Sequence, residues 1–265
     1  MLATPPDGTP ADTIERTVCQ CCLVNALNDL GEFAEGHAVA AEALTAATAL
    51  GHQYVTAVAR YSVGAILMFQ GRLDEATPHM EAVLALGRAH EFGYLLPFLH
   101  SGLGITHVLA GRMEEGLPLL ETAVAQAEGA GITLWLALHL IRLGEGYLRS
   151  GRVAEARAVA QRAVDHTTRR SEERLYGWTL RLLGDIAVVD RDPDGVRHYH
   201  EAIELAREAG TRPLEAYCQL GLGRLFMALG KDEDACDSLT AAERLFAAMD
   251  MAAHRAEAAA ALALL

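Results

Sequence analysis

The amino-acid sequence predicts an all-α solenoid of about six helix–turn–helix repeats of 40 residues, followed by one C-terminal helix. Three observations predict it. The phrase Gly31-Glu32-Phe33-Ala34-Glu35-Gly36 returns as Gly71-Arg72-Leu73-Asp74-Glu75-Ala76, Gly111-Arg112-Met113-Glu114-Glu115-Gly116 and Gly151-Arg152-Val153-Ala154-Glu155-Ala156. Degenerate copies stand at Arg191-Asp192-Pro193-Asp194-Gly195 and Gly230-Lys231-Asp232-Glu233-Asp234-Ala235. A period in the range of about 20–50 residues marks a solenoid, in which each unit stacks only on its neighbours along a linear core. A second register holds Gly64, Gly104, Gly144, Gly184 and Gly223. Glycine inside a helix costs roughly 1 kcal/mol relative to alanine, so five in one register imply a close helix–helix approach at each. The third observation is composition: 51% hydrophobic, mostly Ala and Leu, with only 6% aromatic residues, a mix that suits closely packed helices.

Residues 1–11, with Pro5, Pro6 and Pro10, read as a disordered lead-in to a solenoid over 12–265. Periodic apolar sequence starts at Asp12-Thr13, either of which can cap a helix. The repeats fall at about 12–51, 52–91, 92–131, 132–171, 172–210 and 211–250, with a capping helix at 251–265. In each repeat a first helix runs into Gly-Arg or its equivalent, where a helix C-terminus needs a left-handed residue. A second helix opens on acidic residues such as Asp74-Glu75 or Glu114-Glu115, which favour the positive end of the helix dipole. It ends at Leu50-Gly51, His90-Glu91, Ala130-Gly131, Arg170-Ser171, Ala209-Gly210 or Met249-Asp250. First helices are therefore expected near 13–30, 52–70, 92–110, 132–150, 172–190, 212–229 and 252–265. Second helices are expected near 33–50, 73–90, 113–129, 153–168, 195–209 and 233–249. Pro78 and Pro118, each in a second turn, predict a local distortion.

Around the recurrent glycines the sequence reads Leu103-Gly104 with His107, Leu143-Gly144 with Tyr147, and Leu222-Gly223 with Phe226. In the second helices a small residue precedes a larger one by four: Ala76 and Met80, Gly116 and Leu120, Ala235 and Leu239. This resembles the tetratricopeptide repeat. The family's unit is about 34 residues, so these helices are longer. Arg60, His100, Leu140, Leu180 and Gln219 stand where the family has tryptophan. The last third carries a narrower likeness in Trp178-Thr179-Leu180-Arg181-Leu182-Leu183-Gly184-Asp185-Ile186-Ala187, in the run from Gly210 to Leu225, and in Met249-Asp250-Met251. Over about residues 170–260 it is similar to the C-terminal tetratricopeptide region of large bacterial signalling proteins and related ATP-dependent transcriptional regulators. In the signalling proteins a class III adenylate or guanylate cyclase domain and an AAA-type ATPase precede the repeats. The resemblance implies a right-handed superhelix with its first helices on the concave face. It also implies that this chain is the repeat part alone, as a fragment or a stand-alone relative.

A net charge of -13 repels phosphate backbones and anionic membranes, so neither nucleic acid nor membrane is an expected partner. The most apolar stretch, Ile132 to Ile141, contains His139 and is too short to span a bilayer. The chain opens Met1-Leu2-Ala3-Thr4-Pro5-Pro6, without a basic apolar leader, and its five cysteines are odd in number. A cytoplasmic protein with reduced thiols is expected. Cys19 and Cys22 share a helix face but lack further ligands for zinc, so Cys19, Cys21 and Cys22 read as buried or half-buried thiols. His198 and His200 point about 200° apart on a helix and suit no shared ion. His100-Ser101-Gly102-Leu103-Gly104 lacks the leading glycine and the strand of a nucleophile elbow. Gly230-Lys231 lacks the upstream glycine of a phosphate loop. No catalytic residue, cofactor or metal site is expected, and the chain reads as a non-enzyme.

Carrying the family's concave face over to this chain, and counting from the repeated glycine, places Tyr61, Phe98, Glu145, Arg149, Trp178, Arg181, Asp185, Tyr217, Arg224 and Met227 in the groove. Aromatics and arginines anchor binding surfaces, although Trp178 and Tyr217 would serve equally as core plugs and the charges as mutual pairs. The paired Lys and Asn of chaperone-tail clamps are absent. The function expected is a non-catalytic protein–protein interaction scaffold or sensory module of a bacterial signalling or transcription-control system. Its groove would bind a protein or peptide, with a cyclase or ATPase domain of the same system as a partner. The alternative is a sensor of a peptide or small-molecule effector. An apolar ligand requires a closed pocket near Phe98 and Trp178, and a peptide requires an open charged channel near Arg181 and Arg224. The final helix has almost no charge after Glu257, which predicts an exposed apolar face and weak self-association.

Overall fold

The computed structural model describes residues 9–170 and 172–265. These form thirteen α-helices, with no strand among the described residues: α1 Pro10–Leu30, α2 Phe33–Leu50, α3 Gln53–Phe69, α4 Leu73–Ala89, α5 Leu96–Leu109, α6 Met113–Gly129, α7 Leu136–Arg149, α8 Val153–Arg170, α9 Glu173–Asp190, α10 Gly195–Ala209, α11 Arg212–Ala228, α12 Asp232–Ala248 and α13 Ala252–Leu262. The odd-numbered helices are the expected first helices, and the even-numbered ones are the second. Most of the expected lead-in, residues 1–8, lies outside the described residues, as does Ser171 at the fourth break. The rest of it is helical. The Asp12 N–H donates to the Thr9 hydroxyl at 3.2 Å while the Thr9 N–H donates to the Asp12 carboxylate at 2.7 Å. This capping box, with Pro10 in the first turn, starts α1 ahead of Asp12.

The glycine breaks adopt the left-handed backbone that ends the helices. At Gly71 (φ 75°) the Gly71 N–H donates to the Met68 carbonyl and the Arg72 N–H to the Leu67 carbonyl, which satisfies two otherwise open acceptors. Glu91, Arg191 and Asp250 take the same conformation at breaks that lack the glycine, at roughly 1–2 kcal/mol each. Two helices begin four residues later than the period predicts. Pro97 belongs in a first turn, so α5 waits for Leu96 while residues 92–95 form a turn. Trp135 is left-handed (φ 61°), so α7 starts only at Leu136. Helices α4 and α6 run through Pro78 and Pro118 without interruption, contrary to the expected distortion. Each proline sits near the N-terminal end, where it removes a single ladder bond.

The interior glycines lie at close helix contacts. A β-carbon on Gly104 would stand 2.9 Å from the Leu120 side chain and 3.0 Å from the Gly116 carbonyl. One on Gly184 would stand 2.6 Å from the Tyr199 ring. The core fills the space between the paired helices with large buried side chains such as Ile66, Met80, Leu120, Leu182, Leu239 and Phe246. The cysteine expectation is corrected. Cys21 is buried, but Cys19 and Cys22, about 200° and 100° away from it around α1, are exposed.

A linear array with contacts only between neighbours was expected, and the structure departs from it. The superhelix bends until its two ends touch. Arg212 Nε donates to the Leu30 carbonyl at 2.7 Å, and its Nη2 pairs with Glu32 at 2.7 Å. Arg174 pairs with Asp29 at 3.2 Å. Val24, Phe33 and Ile66 share one apolar cluster with Leu220, Leu239, Phe246, Met249 and Met251. Helix α13 buries Ala258 and Ala261 and brings His254 against Gly71. Beyond it Leu264 is 79% exposed and Leu265 44%.

Candidate functional site: the central channel

Bending the array encloses a channel of about 870 Å³. All seven odd-numbered helices line it, and the even-numbered ones contribute only Leu73 at the start of α4. On three helices the lining follows one stripe, with side chains three and then four residues apart. These are Arg142, Glu145 and Arg149 on α7, Trp178, Arg181 and Asp185 on α9, and Tyr217, Leu220 and Arg224 on α11. That spacing puts three side chains on one face of a helix.

Nine of the ten sequence-predicted groove residues line this space: Tyr61, Phe98, Glu145, Arg149, Trp178, Arg181, Asp185, Tyr217 and Arg224. Met227 does not. It is half-buried against the clusters around Phe246 and Leu222. It stands four residues after its repeat glycine, where the lining position in α7, Arg149, stands five after. One residue turns the side chain by about 100°.

One wall is a closed ion network. Arg181, 8% exposed, donates from Nη2 to Glu145 at 2.8 Å and from Nη1 to Asp185 at 2.7 Å. Arg149 Nε donates to the other Glu145 oxygen at 3.1 Å, and the Tyr199 hydroxyl donates to Asp185 at 2.6 Å. The Arg181 guanidinium lies 5.4 Å from the Trp178 ring and 5.7 Å from the Tyr217 ring, a cation–π arrangement. Burial alone would raise the Glu145 pKa, but the two guanidiniums outweigh it and hold the group at about 2. Burial pushes the Asp185 carboxyl up, because Arg181 is shared and compensates it incompletely. Burial likewise raises the Tyr217 phenol. At the rim Arg224 pairs with Glu257 at 2.5 Å.

The other wall is aromatic. The Tyr61 and Phe98 rings are 4.4 Å apart, and Phe98 and Trp135 are 4.7 Å apart. Arg142 Nη1 reaches the hydroxyls of Tyr61 and Ser101 at 3.3 Å each. The buried His139 ring lies 6.4 Å from Phe98. Burial and the neighbouring Arg142 push its pKa down to about 3, so it is neutral. Sequence reasoning missed Trp135, which precedes its helix, and Arg142, which stands two before its glycine where the counted positions stand three before. It also missed Asp29, Arg174, His254 and Glu257, brought in by the meeting of the ends. Trp135 and Trp178 are the chain's two tryptophans, and both line the channel.

Among the described residues no group of three or more His, Cys, Asp and Glu could hold a metal ion. None of their helices is long and apolar enough to cross a membrane.

Residues 96–169 match the tetratricopeptide repeat family. No curated protein matches the chain. A solved structure of a Rap protein complexed with competence and sporulation factor is similar at TM-score 0.72 and 14% identity, covering 91% of this chain and 66% of that one. The chain thus spans slightly less than two thirds of that structure's length. The apo form of RapI is similar at TM-score 0.70 and 10% identity, covering 88% and 83% of the two chains. BtubC (BKLC) from P. vanneervenii is similar at TM-score 0.54 and 17% identity, covering 92% and 93%. At such identities the likeness speaks for the fold alone. Together with the repeat match and the all-helical architecture, it shows that this chain has the fold of a tetratricopeptide-type superhelical solenoid.

Proposed function

We propose that the chain is a non-catalytic sensor module that takes a short peptide segment into its central channel. The segment is either free or the extended tail of a partner protein. The observation that carries this reading is the convergence of seven helices on one space of about 870 Å³ with a mixed aromatic and charged lining. That volume falls within the roughly 300–1,000 Å³ of small-ligand sites. A folded partner, which would need about 800 Å² of surface on each side, cannot dock inside it. The channel joins aromatic surface near Phe98 and Trp178 to charge near Arg181 and Arg224, the latter being the feature expected for a peptide. A peptide, with alternating apolar and polar groups, matches both. The similarity to a Rap protein solved with competence and sporulation factor supports the same reading.

Occupancy would favour one arrangement of the α1–α11 closure over another, and a ligand shifts such an equilibrium only by its differential affinity. The partner reading that shift is, on the resemblance of residues 170–260, a cyclase or ATPase domain of a bacterial cytoplasmic signalling system. The test is a synthetic short-peptide library read by tryptophan emission. True ligands lose roughly 2 kcal/mol or more with Trp178→Ala or Arg224→Ala and keep their affinity with His198→Ala or Glu204→Ala on α10. A library without a single binder, or equal losses on both faces, rejects the channel as the site.

A further inference from the structure

The channel carries an unbalanced charge. Five arginines and four carboxylates line it: Arg142, Arg149, Arg174, Arg181 and Arg224 against Asp29, Glu145, Asp185 and Glu257. Four of the arginines hold a carboxylate. Arg142 holds only the neutral hydroxyls of Tyr61 and Ser101, at a long 3.3 Å. Glu145 lies one turn along the same helix, but its oxygens are taken by Arg149 and Arg181. Among the described residues, a chain of net charge -13 thus keeps one uncompensated cation, half-buried, in its central cavity. A guanidinium drawn out of water without a counter-ion is unfavourable, and such a group in a cleft marks a binding position.

The surroundings define what it would bind. Tyr61, Phe98 and Trp135 form a continuous aromatic corner beside Arg142. Trp135 is held there in a left-handed backbone that a bulky side chain rarely adopts. His139, 6.4 Å from the Phe98 ring, is neutral and adds no second positive charge. The Tyr61 hydroxyl, which lines the channel, can turn to donate, and a guanidinium matches a carboxylate with two parallel hydrogen bonds.

We infer that this corner is a carboxylate subsite at which the bound peptide ends, with Arg142 holding the C-terminal carboxylate and Phe98 and Trp135 holding a terminal apolar side chain. This rests on the peptide-binding reading above. A C-terminal apolar residue presents a carboxylate and an apolar side chain from one Cα atom, which is the pairing the corner offers. An internal acidic residue brings a carboxylate without that side chain.

Three probes test it by tryptophan emission: N-acetylphenylalanine, N-acetylphenylalaninamide and N-acetylglutamylphenylalaninamide. The free acid should bind at least about tenfold more tightly than either amide, a preference of the size expected for a charge-assisted pair. Arg142→Gln should abolish the preference. Equal binding of acid and amides, a preference that survives Arg142→Gln, or no response to the free acid at millimolar concentration would each overturn the subsite. The comparison on the unaltered protein stands even if Arg142→Gln fails to fold. Library peptides that bind through Trp178 yet are indifferent to C-terminal amidation would overturn this inference and leave the peptide reading intact. Binding of the free acid with no library peptide bound would keep a carboxylate site but overturn the peptide end.

Discussion

On the wall built from α7, α9 and α11, Arg181 lies between Glu145 and Asp185, with Arg149 and Tyr199 completing their bonds. On the wall built from α3, α5 and α7, Arg142 has only two hydroxyls. Both arginines face the same channel, although counting from the repeat glycine put only Arg181 in it. The contrast separates architecture from binding capacity. A cation whose partners come from the same chain fastens neighbouring helices to each other. A cation without such partners adds little to the fold and is free for what enters.

The largest effect expected from this contrast is Arg181→Met. It takes the buried guanidinium from two half-buried carboxylates and should cost about 3 kcal/mol, the low end for breaking a buried ion pair, measured by urea denaturation. Arg142→Met should cost nothing or raise stability slightly, and equal losses at the two positions would erase the distinction.

Acid titration gives the next effect. The Glu145 carboxyl drops from its ordinary 4.5 to about 2 in the folded chain. The unfolded chain therefore takes up this proton first as pH falls. The stabilisation is complete above pH 4.5 and disappears by about pH 2, on the order of 3 kcal/mol in all. Asp185, shifted upward by burial, works in the opposite sense and is relieved when it protonates. Melting temperatures between pH 5 and 2 should fall less steeply in Glu145→Gln than in the unaltered chain.

Smaller effects come from the glycines behind each wall. Alanine at Gly184 would press on the Tyr199 ring, and alanine at Gly102 on the Tyr61 ring, each at 2.6 Å. Gly184→Ala should cost about 1–3 kcal/mol, because Tyr199 is fully buried and tied to Asp185. Gly102→Ala should cost less, because Tyr61 borders open channel. Thermal denaturation of the two proteins side by side decides the order. The smallest effect concerns the exposed Leu264 and Leu265. Changing either to Glu should alter stability by no more than about 0.5 kcal/mol yet abolish the weak self-association proposed for this end, as seen in sedimentation velocity at rising concentration.

Much of the fold was legible because a repeat writes the same constraints several times. A left-handed glycine at most breaks and a packing glycine in five of the seven first helices fix both helix boundaries and the inward face. The same register brings nine of the ten counted residues to the lining of the channel. It failed where an element departs from the register: Met227 and Arg142 each stand one position off, and Trp135 lies in the turn before α7. Nothing in local periodicity encodes the meeting of the ends, since Arg212 and Leu30 are far apart in sequence and are brought together only by rotation accumulated over the whole array. The residues that this meeting brings to the channel were invisible for the same reason.

That meeting bears on how the molecule comes apart. An open repeat array loosens from its termini, because each terminal unit has a single neighbour. Here the first repeat rests on the last, and each serves as the other's cap. Amide hydrogens in α1 should then exchange with solvent about as slowly as those in α7, at the middle of the chain. Cutting the chain after Met249 should speed exchange in α1 while leaving α5 and α6 protected. The closed coil would melt as one cooperative body, and its shortened form piece by piece.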